Sequence, residues 1–225
     1  MLHDCAVLDS IDERFFSPDH WRAQGALLGQ ASGRGCTYTF QYGQEQFVLR
    51  HYRRGGRIAS VSKDLYLWTG LRSTRAWREM HLLKIMAESG LPVPSPAAAR
   101  ILRFGPVYRA DLVTRCIPNT ETLAGKITRG ELPKELCLSI GACIRRFHDW
   151  GLYHADLNVH NILIDDHNLV WLIDFDRGKR CKPNPRRNQA NLKRLQRSLK
   201  KVWSGKDADK EVAWSLLLQG YARFG

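Results

Sequence analysis

Residues Leu152 to Ile164 read LYHADLNVHNILI, and the fold turns on how this stretch is understood. One aspartate, two asparagines and two histidines sit between apolar ends, so the segment is either a solvated turn or a loop built for chemistry. Upstream, LPKELCLSIGACIRRFHDWG has helical spacing, with apolar residues at 136, 140, 143, 144 and 147, Pro133 near its start and Gly151 past its end. Downstream, NILIDDHNLVWLIDF reads as two short apolar runs around a polar turn, a hairpin. A helix and a hairpin thus hold the two ends of the polar stretch.

Asp156 and Asn161 lie five positions apart, and Asp174, in LIDFD, follows Asp156 by eighteen, beyond the hairpin. Phosphoryl transfer of the protein-kinase type needs one carboxylate to accept the proton of the attacking hydroxyl. It also needs an asparagine and an aspartate to hold Mg²⁺ on the nucleotide phosphates. Both spacings fit that template. A solvated turn, in which Asp156, Asn158 and Asn161 bond their own backbone, would explain the residue types. It would not explain an apolar strand ending in Asp-Phe at the right distance. His154 and His160 lack a Cys or His partner at zinc-site spacing, and His154 is expected to pack under the loop and bond its backbone. Cys116 and Cys143 read as small core residues.

A site of this type needs a phosphate cover and a cation paired to a helix carboxylate. Residues 31–60 contain a β-rich stretch with alternation in TYTF, a turn at Gly43 and a second arm QFVLRHY, which predicts a hairpin. SGRGCTYTF offers Gly33 and Gly35 as the cover, with Tyr38 where a third glycine would fall. Arg50, in FVLRHY, stands where kinases carry a lysine, and it keeps its charge and can grip phosphate bidentately. The segment STRAWREMHLLKIMAESG predicts a helix capped by Ser73 or Thr74 and ended by Gly90, with Glu79 on the face of Leu82, Leu83 and Met86. A carboxylate on an apolar stripe needs a cationic partner. LPVPSP then enforces an extended connector, followed by two strands, AAARILRF and VYRADLVTRCI, joined by Gly105-Pro106. Arg115 and Ile117, at the end of the second, complete the expected cofactor-binding set with Gly33, Gly35, Arg50 and Glu79. The predicted class is α+β and bilobal, protein-kinase-like, with a β-rich lobe over 1–114 and a mainly helical lobe over 115–225.

The loop departs from protein kinases at two points. Asn158 stands where a serine/threonine kinase has a lysine near the transferred phosphate, and DFD replaces DFG, so that Asp176 either adds an acidic ligand or accepts backbone hydrogen bonds. The chain after Asp176 is short and has no APE element, which disfavours a peptide substrate. With these residues in hand, the chain resembles the 3-deoxy-D-manno-octulosonate (Kdo) kinases, lipopolysaccharide-core enzymes of the protein-kinase-like superfamily. The likeness runs through GRGCTYTF, LRHYRRGG, KDLYLW, GLPVPSP, HADLNVHNILI, LIDFDRG and NLKRLQRSLKK. That family also bears arginine in the second of these runs. The resemblance implies ATP-dependent phosphorylation of the 4-hydroxyl of Kdo on a lipid A precursor, at the cytoplasmic face of the bacterial inner membrane. Carried over by motif, Asp156 is the catalytic base and Asn161 and Asp174 are the Mg²⁺ ligands.

Composition points the same way. Thirty-five Lys and Arg against 22 Asp and Glu give a formal charge of +13, which favours a polyanionic partner: nucleic acid, anionic lipid or a phosphorylated substrate. A nucleic-acid-binding domain would leave Glu79, Asp156 and Asp174 unexplained, since carboxylates repel a phosphate path, and no nucleic acid is expected. A different small-molecule or glycolipid kinase, such as a lipopolysaccharide heptose kinase, would share Asp156, Asn161 and Asp174. Arg50, Arg53, Arg54 and Arg57 in one run suit an acceptor bearing carboxylate and phosphate. The tail from 188, NQANLKRLQRSLKKVWSG, predicts a basic amphipathic helix with Leu192, Leu195, Leu199 and Val202 on one side. It either lies against anionic headgroups or gives its leucines to the core and its charges to solvent. The six cysteines form no CxxC pair and read as reduced thiols of a cytosolic protein. No apolar run reaches the roughly 20 residues of a bilayer span, and the start lacks a leader pattern, so the expectation is a protein neither exported nor integral.

Overall fold

A computed structural model of the chain describes residues 1–3, 11–32, 36–53 and 64–223. The chain divides into two compact units, Met1–Ile85 with Pro94–Cys116, and Met86–Val93 with Ile117–Gly225.

Among the described residues the first unit is built on a seven-stranded antiparallel sheet. Its strands are β1 (Leu2–His3), β2 (Leu27–Ser32), β3 (Cys36–Tyr42), β4 (Glu45–His51), β5 (Tyr66–Leu67), β6 (Pro96–Phe104) and β7 (Val107–Arg115). They run in the order β1-β6-β7-β4-β3-β2, with β5 also on β7. The hairpin expected around Gly43 is β3–β4, and the glycine takes the left-handed conformation the turn requires, φ 59°. The hairpin is part of a larger meander, because the unforeseen β2 pairs with β3. Gly33 and Gly35 fall outside the described residues, as do Arg54 and Arg57. The two later strands meet across Gly105, as expected.

Alternation along β3 and β4 sends Phe40, Phe47 and Leu49 into the core, where they meet Phe15, Phe16 and Trp21 from the segment ahead of the sheet. Trp21 stacks on Phe40 at 4.4 Å and donates its indole N–H to the Phe15 carbonyl at 3.0 Å. It is delivered by α1 (Pro18–Ala23), a helix too short to show a periodic stripe. Ser17 caps α1, its hydroxyl accepting from the His20 N–H at 3.3 Å, and Pro18 sits in the first turn. Ser17→Ala is expected to lower stability by about 1 kcal/mol; a urea midpoint equal to wild type would remove the cap from this role.

Helix α2 (Arg75–Glu88) follows directly on Thr74, whose hydroxyl donates to the Leu71 carbonyl at 2.7 Å, while the Arg75 N–H reaches the Tyr108 hydroxyl at 3.0 Å. It ends at Gly90, with φ 72° and paired bonds from Leu91 N–H to Met86 carbonyl (3.0 Å) and from Gly90 N–H to Ala87 carbonyl (2.9 Å).

The second unit contains helices α3 (Leu123–Thr128), α4 (Lys134–Asp149), α5 (Pro185–Val202) and α6 (Asp207–Arg223). Its short strands are β8 (Glu121–Thr122), β9 (Leu152–Tyr153), β10 (Ile162–Ile164), β11 (Val170–Leu172) and β12 (Lys179–Arg180). The expected second hairpin is β10–β11, with β8 on its other side, and β12 pairs β9. All five apolar positions read along α4 are buried. Helix α5 starts three residues before the predicted point, since Asn184 caps it by accepting from the N–H groups of Arg186 and Arg187 at 3.0 and 3.2 Å. Its Leu195 and Leu199 are buried, so the leucine side belongs to the protein core, while Arg186, Arg187, Lys193, Arg194, Arg197, Lys200 and Lys201 are exposed. Helix α6, absent from the sequence reading, lies against α4 at glycine. A β-carbon on Gly141 would fall 1.9 Å from the Leu217 carbonyl oxygen, and one on Gly220 would fall 2.0 Å from that of Leu138. Cys137 and Cys143 are buried, with thiols pushed by burial up to about 11 and about 12, and they are inert packing residues. Among the described residues no helix is long and apolar enough to cross a membrane.

Candidate active site

The polar loop is held by the residues that alternate with its exposed ones. Leu152, His154, Leu157, Val159, Asn161, Ile162 and Ile164 are buried, whereas Asp156 and Asn158 are part-exposed and His160 is exposed. Gly151 begins the loop at φ 90°, and a β-carbon there would meet the Cys181 carbonyl oxygen at 2.3 Å, so no other residue fits.

Hydrogen bonds then fix the backbone at Asp156. Its carbonyl accepts from the side-chain amides of both Asn158 (2.8 Å) and Asn161 (2.9 Å). Its N–H donates to His154 Nδ1 at 3.1 Å, and the opposite ring nitrogen, Nε2, donates to the Ile173 carbonyl at 3.0 Å. His154 is therefore a neutral brace that ties the loop to the strand after the hairpin, as expected of it. Asn158 also accepts from the His160 N–H at 2.9 Å, so both the nitrogen and the oxygen of its amide bond within the loop. The Asp156 carboxylate meets Arg194 of α5, whose Nε lies 2.8 Å from Oδ1.

The β10–β11 ladder carries Asn161 and Asp174 to the same end of the hairpin: Ile162 opposes Leu172, and one step further the Ile173 N–H donates to the Asn161 carbonyl at 3.1 Å. Asp174 then takes a left-handed backbone, φ 62°, which an aspartate tolerates better than most residues. The next residue, Phe175, is buried against Phe147 and His154 and anchors the turn. Because the Asn161 nitrogen is committed to the Asp156 carbonyl, its oxygen is the atom left to act as a ligand. Together with the Asp174 carboxylate it could supply hard-oxygen donors of the kind Mg²⁺ takes alongside substrate phosphates. Among the described residues no group of three or more His, Cys, Asp or Glu forms a metal cage of its own.

The first unit presents a second constellation by itself. Arg50 on β4 forms an ion pair with the buried Glu79 of α2, and the Tyr52 hydroxyl donates to the same Glu79 oxygen at 2.6 Å. Arg50 in turn donates to the Tyr52 hydroxyl at 3.2 Å. Burial of Glu79 requires this pairing. Tyr52 was missed, although its place two residues after Arg50 puts it on the same strand face. Arg115 is engaged by Glu45, Nε to Oε2 at 2.8 Å, and the Ile117 carbonyl accepts from the Thr120 hydroxyl at 3.1 Å. Tyr38 lies in β3, opposite Leu49.

Two more residues support the loop from α5. The Asn191 amide donates to the His154 carbonyl at 2.9 Å and accepts its N–H at 3.3 Å, and the Ser198 hydroxyl accepts from the Val159 N–H at 3.2 Å. Asn191 also accepts from His148 Nε2 at 3.4 Å, while the Tyr221 hydroxyl donates to His148 Nδ1 at 2.8 Å. Burial pushes His148 down to about 4 and also lowers His154, so both are neutral in the folded protein. In the unfolded chain each takes up a proton near 6.5. Their contribution to stability is therefore present above 6.5 and is lost as pH falls below it, for His148 through the interval down to about 4. For His148 alone, going from pH 7 to pH 5 is expected to cost on the order of 2 kcal/mol. Urea unfolding at the two pH values checks this, and a His148→Gln variant should lose distinctly less; an equal loss would contradict the assignment. His51 acts in a different window: its hydrogen bond to Asp111 raises it above 6.5, so its contribution is complete below 6.5 and fades only as pH rises.

With this geometry in place, comparison with known proteins is informative. Residues 18–221 match the family described as "Lipopolysaccharide kinase (Kdo/WaaP) family". A 3-deoxy-D-manno-octulosonic acid kinase of Vibrio cholerae serotype O1 is 40% identical over 218 residues, covering 95% of this chain and 88% of that one. A protein of the same name from Mannheimia succiniciproducens is 42% identical over 221 residues, covering 93% and 90%. A third, from Photobacterium profundum, is 40% identical over 224 residues, covering 97% and 92%. Among solved structures, the Cydia pomonella granulovirus kinase PK-1 aligns with a TM-score of 0.49 and 12% identity, covering 72% of this chain and 56% of that one.

Proposed function

The chain belongs to the lipopolysaccharide kinase (Kdo/WaaP) family, and on that premise we propose that it transfers the terminal phosphoryl group of ATP to the 4-hydroxyl of Kdo on a lipid A precursor. The observation that carries this reading is the Asp156 loop, with Asn161 bonded to the Asp156 carbonyl and the hairpin bringing Asp174 beside it. Asp156 is the general base: as the 4-hydroxyl oxygen forms its bond to the terminal phosphorus and the bond to the ADP oxygen breaks, the hydroxyl proton passes to the carboxylate. Asn161 and Asp174 are the residues that would hold Mg²⁺, which when bound neutralises the phosphate oxygens. In the first unit, Arg50 is the nucleotide-phosphate contact, its guanidinium oriented by Glu79 and Tyr52. Gly33, Gly35, Arg115 and Ile117 remain candidates for nucleotide contact. The exposed basic residues of α5 suit a peripheral position on an anionic inner-membrane surface, from which a lipid-borne acceptor would be reached.

Incubation with ATP and Kdo-lipid IVA, followed by mass spectrometry, tests the proposal. The expected product is heavier by one phosphate, placed on the Kdo 4-oxygen; an unmodified acceptor with a folded protein would sink the reading.

A further inference from the structure

Resting on the reading of the chain as a Kdo kinase, we infer that Arg194 is a specificity-determining residue that binds the carboxylate of the acceptor sugar while it holds Asp156. Among the described residues, Arg194 is the side chain that bonds the Asp156 carboxylate, and it does so with its Nε–Nη2 edge on one oxygen, Oδ1. That leaves Oδ2 to receive the hydroxyl proton. It also leaves the second edge of the guanidinium, Nη1 with the remaining Nη2 proton, for a bidentate anion. Both side chains are open to a ligand, at 44% exposure for Arg194 and 35% for Asp156.

The arginine comes from a fixed platform. Asn191, Arg194 and Ser198 lie on one face of α5, and the outer two bond the loop backbone at His154 and Val159. Leu195 beside them is fully buried. Asn158, standing where serine/threonine kinases carry a lysine, brings no charge to Asp156 and bonds the Asp156 carbonyl and the His160 N–H instead. Positive charge at Asp156 thus arrives from the helix.

The acceptor's chemistry matches this placement. In Kdo the carboxylate is borne by C2, two carbons from the C4 that carries the reacting hydroxyl. A sugar that offers its 4-hydroxyl to Oδ2 therefore brings an anion within reach of an arginine on Oδ1. The phosphates of the lipid portion lie on other sugars, farther along the acceptor.

The test compares wild type and Arg194→Ala on Kdo-lipid IVA and on the same acceptor with the Kdo carboxylate as its methyl ester. Arg194→Ala is expected to lower kcat/KM on the acid about 10- to 100-fold, mainly through acceptor KM, with KM for ATP unchanged. On the ester, where the partner of the arginine is gone, the penalty should be distinctly smaller and confined to kcat, the part that reflects the hold of Arg194 on Asp156. Arg194→Lys, which keeps the charge but loses the fork, should fall between them. Circular dichroism and melting curves confirm that the variants are folded. An equal penalty on acid and ester would overturn the inference and leave Arg194 as a holder of Asp156 or a contact of the transferred phosphate. Wild type failing to phosphorylate Kdo-lipid IVA at all would overturn the functional reading, and this inference with it.

Discussion

Asp156→Ala is expected to lower kcat by about 10²- to 10⁴-fold while leaving the protein folded. The separation of these effects follows from which atoms of Asp156 do what. Its contribution to the loop is made by the backbone: the N–H donates to His154, and the carbonyl accepts from Asn158 and Asn161. Alanine keeps all three bonds. The side chain makes a part-exposed ion pair with Arg194, and pairs of that kind contribute about 0–1 kcal/mol. Steady-state turnover of Kdo-lipid IVA, read beside a melting curve, is the measurement. A folded variant with wild-type turnover would take the role of base away from Asp156, and a variant that simply unfolds would mean that the carboxylate is structural.

Gly141→Ala is expected to destabilise the second unit by about 1–3 kcal/mol. On a solvated helix the same change would stabilise by about 1 kcal/mol, so even the sign is diagnostic. The added methyl would sit 1.9 Å from the Leu217 carbonyl oxygen and 2.6 Å from the Tyr221 nitrogen, both backbone atoms with no rotamer to yield. Helices α4 and α6 would have to separate, and α4 buries Ile140, Ile144 and Phe147 on either side of that point. Gly220, facing Leu138 in the same way, should be as intolerant. Denaturant unfolding decides the matter: an unchanged or raised midpoint would contradict the close approach.

What could be read from the sequence was local in character. The β3–β4 hairpin follows from alternation around Gly43, the end of α2 from Gly90, and the paired hairpin strands from apolar runs flanking a polar turn. The relation of Asp156, Asn161 and Asp174 was legible because loop and hairpin are contiguous. Strand β2 was hidden by its composition, LLGQAS, and by a register irregularity between Leu27 and Gly29. Helix α6 was hidden because Val212 and Leu218 are apolar yet exposed, which blurs the stripe of Ala213, Trp214 and Leu217. Arg194, Asn191 and Ser198 were out of reach for a different reason. Their partners lie 37 to 39 positions earlier, and no periodicity links a loop to a helix docked beneath it.

That docking has a consequence for synthesis. A chain leaving the ribosome completes the loop from Leu152 to Ile164 well before the residues that brace it exist outside the tunnel. Val159 waits for Ser198, Asp156 for Arg194, and His154 for Asn191. Until α5 has emerged, the nascent loop holds its aspartate without the helix that steadies it, so the order of translation keeps the machinery unfinished until nearly all of the second unit has been made.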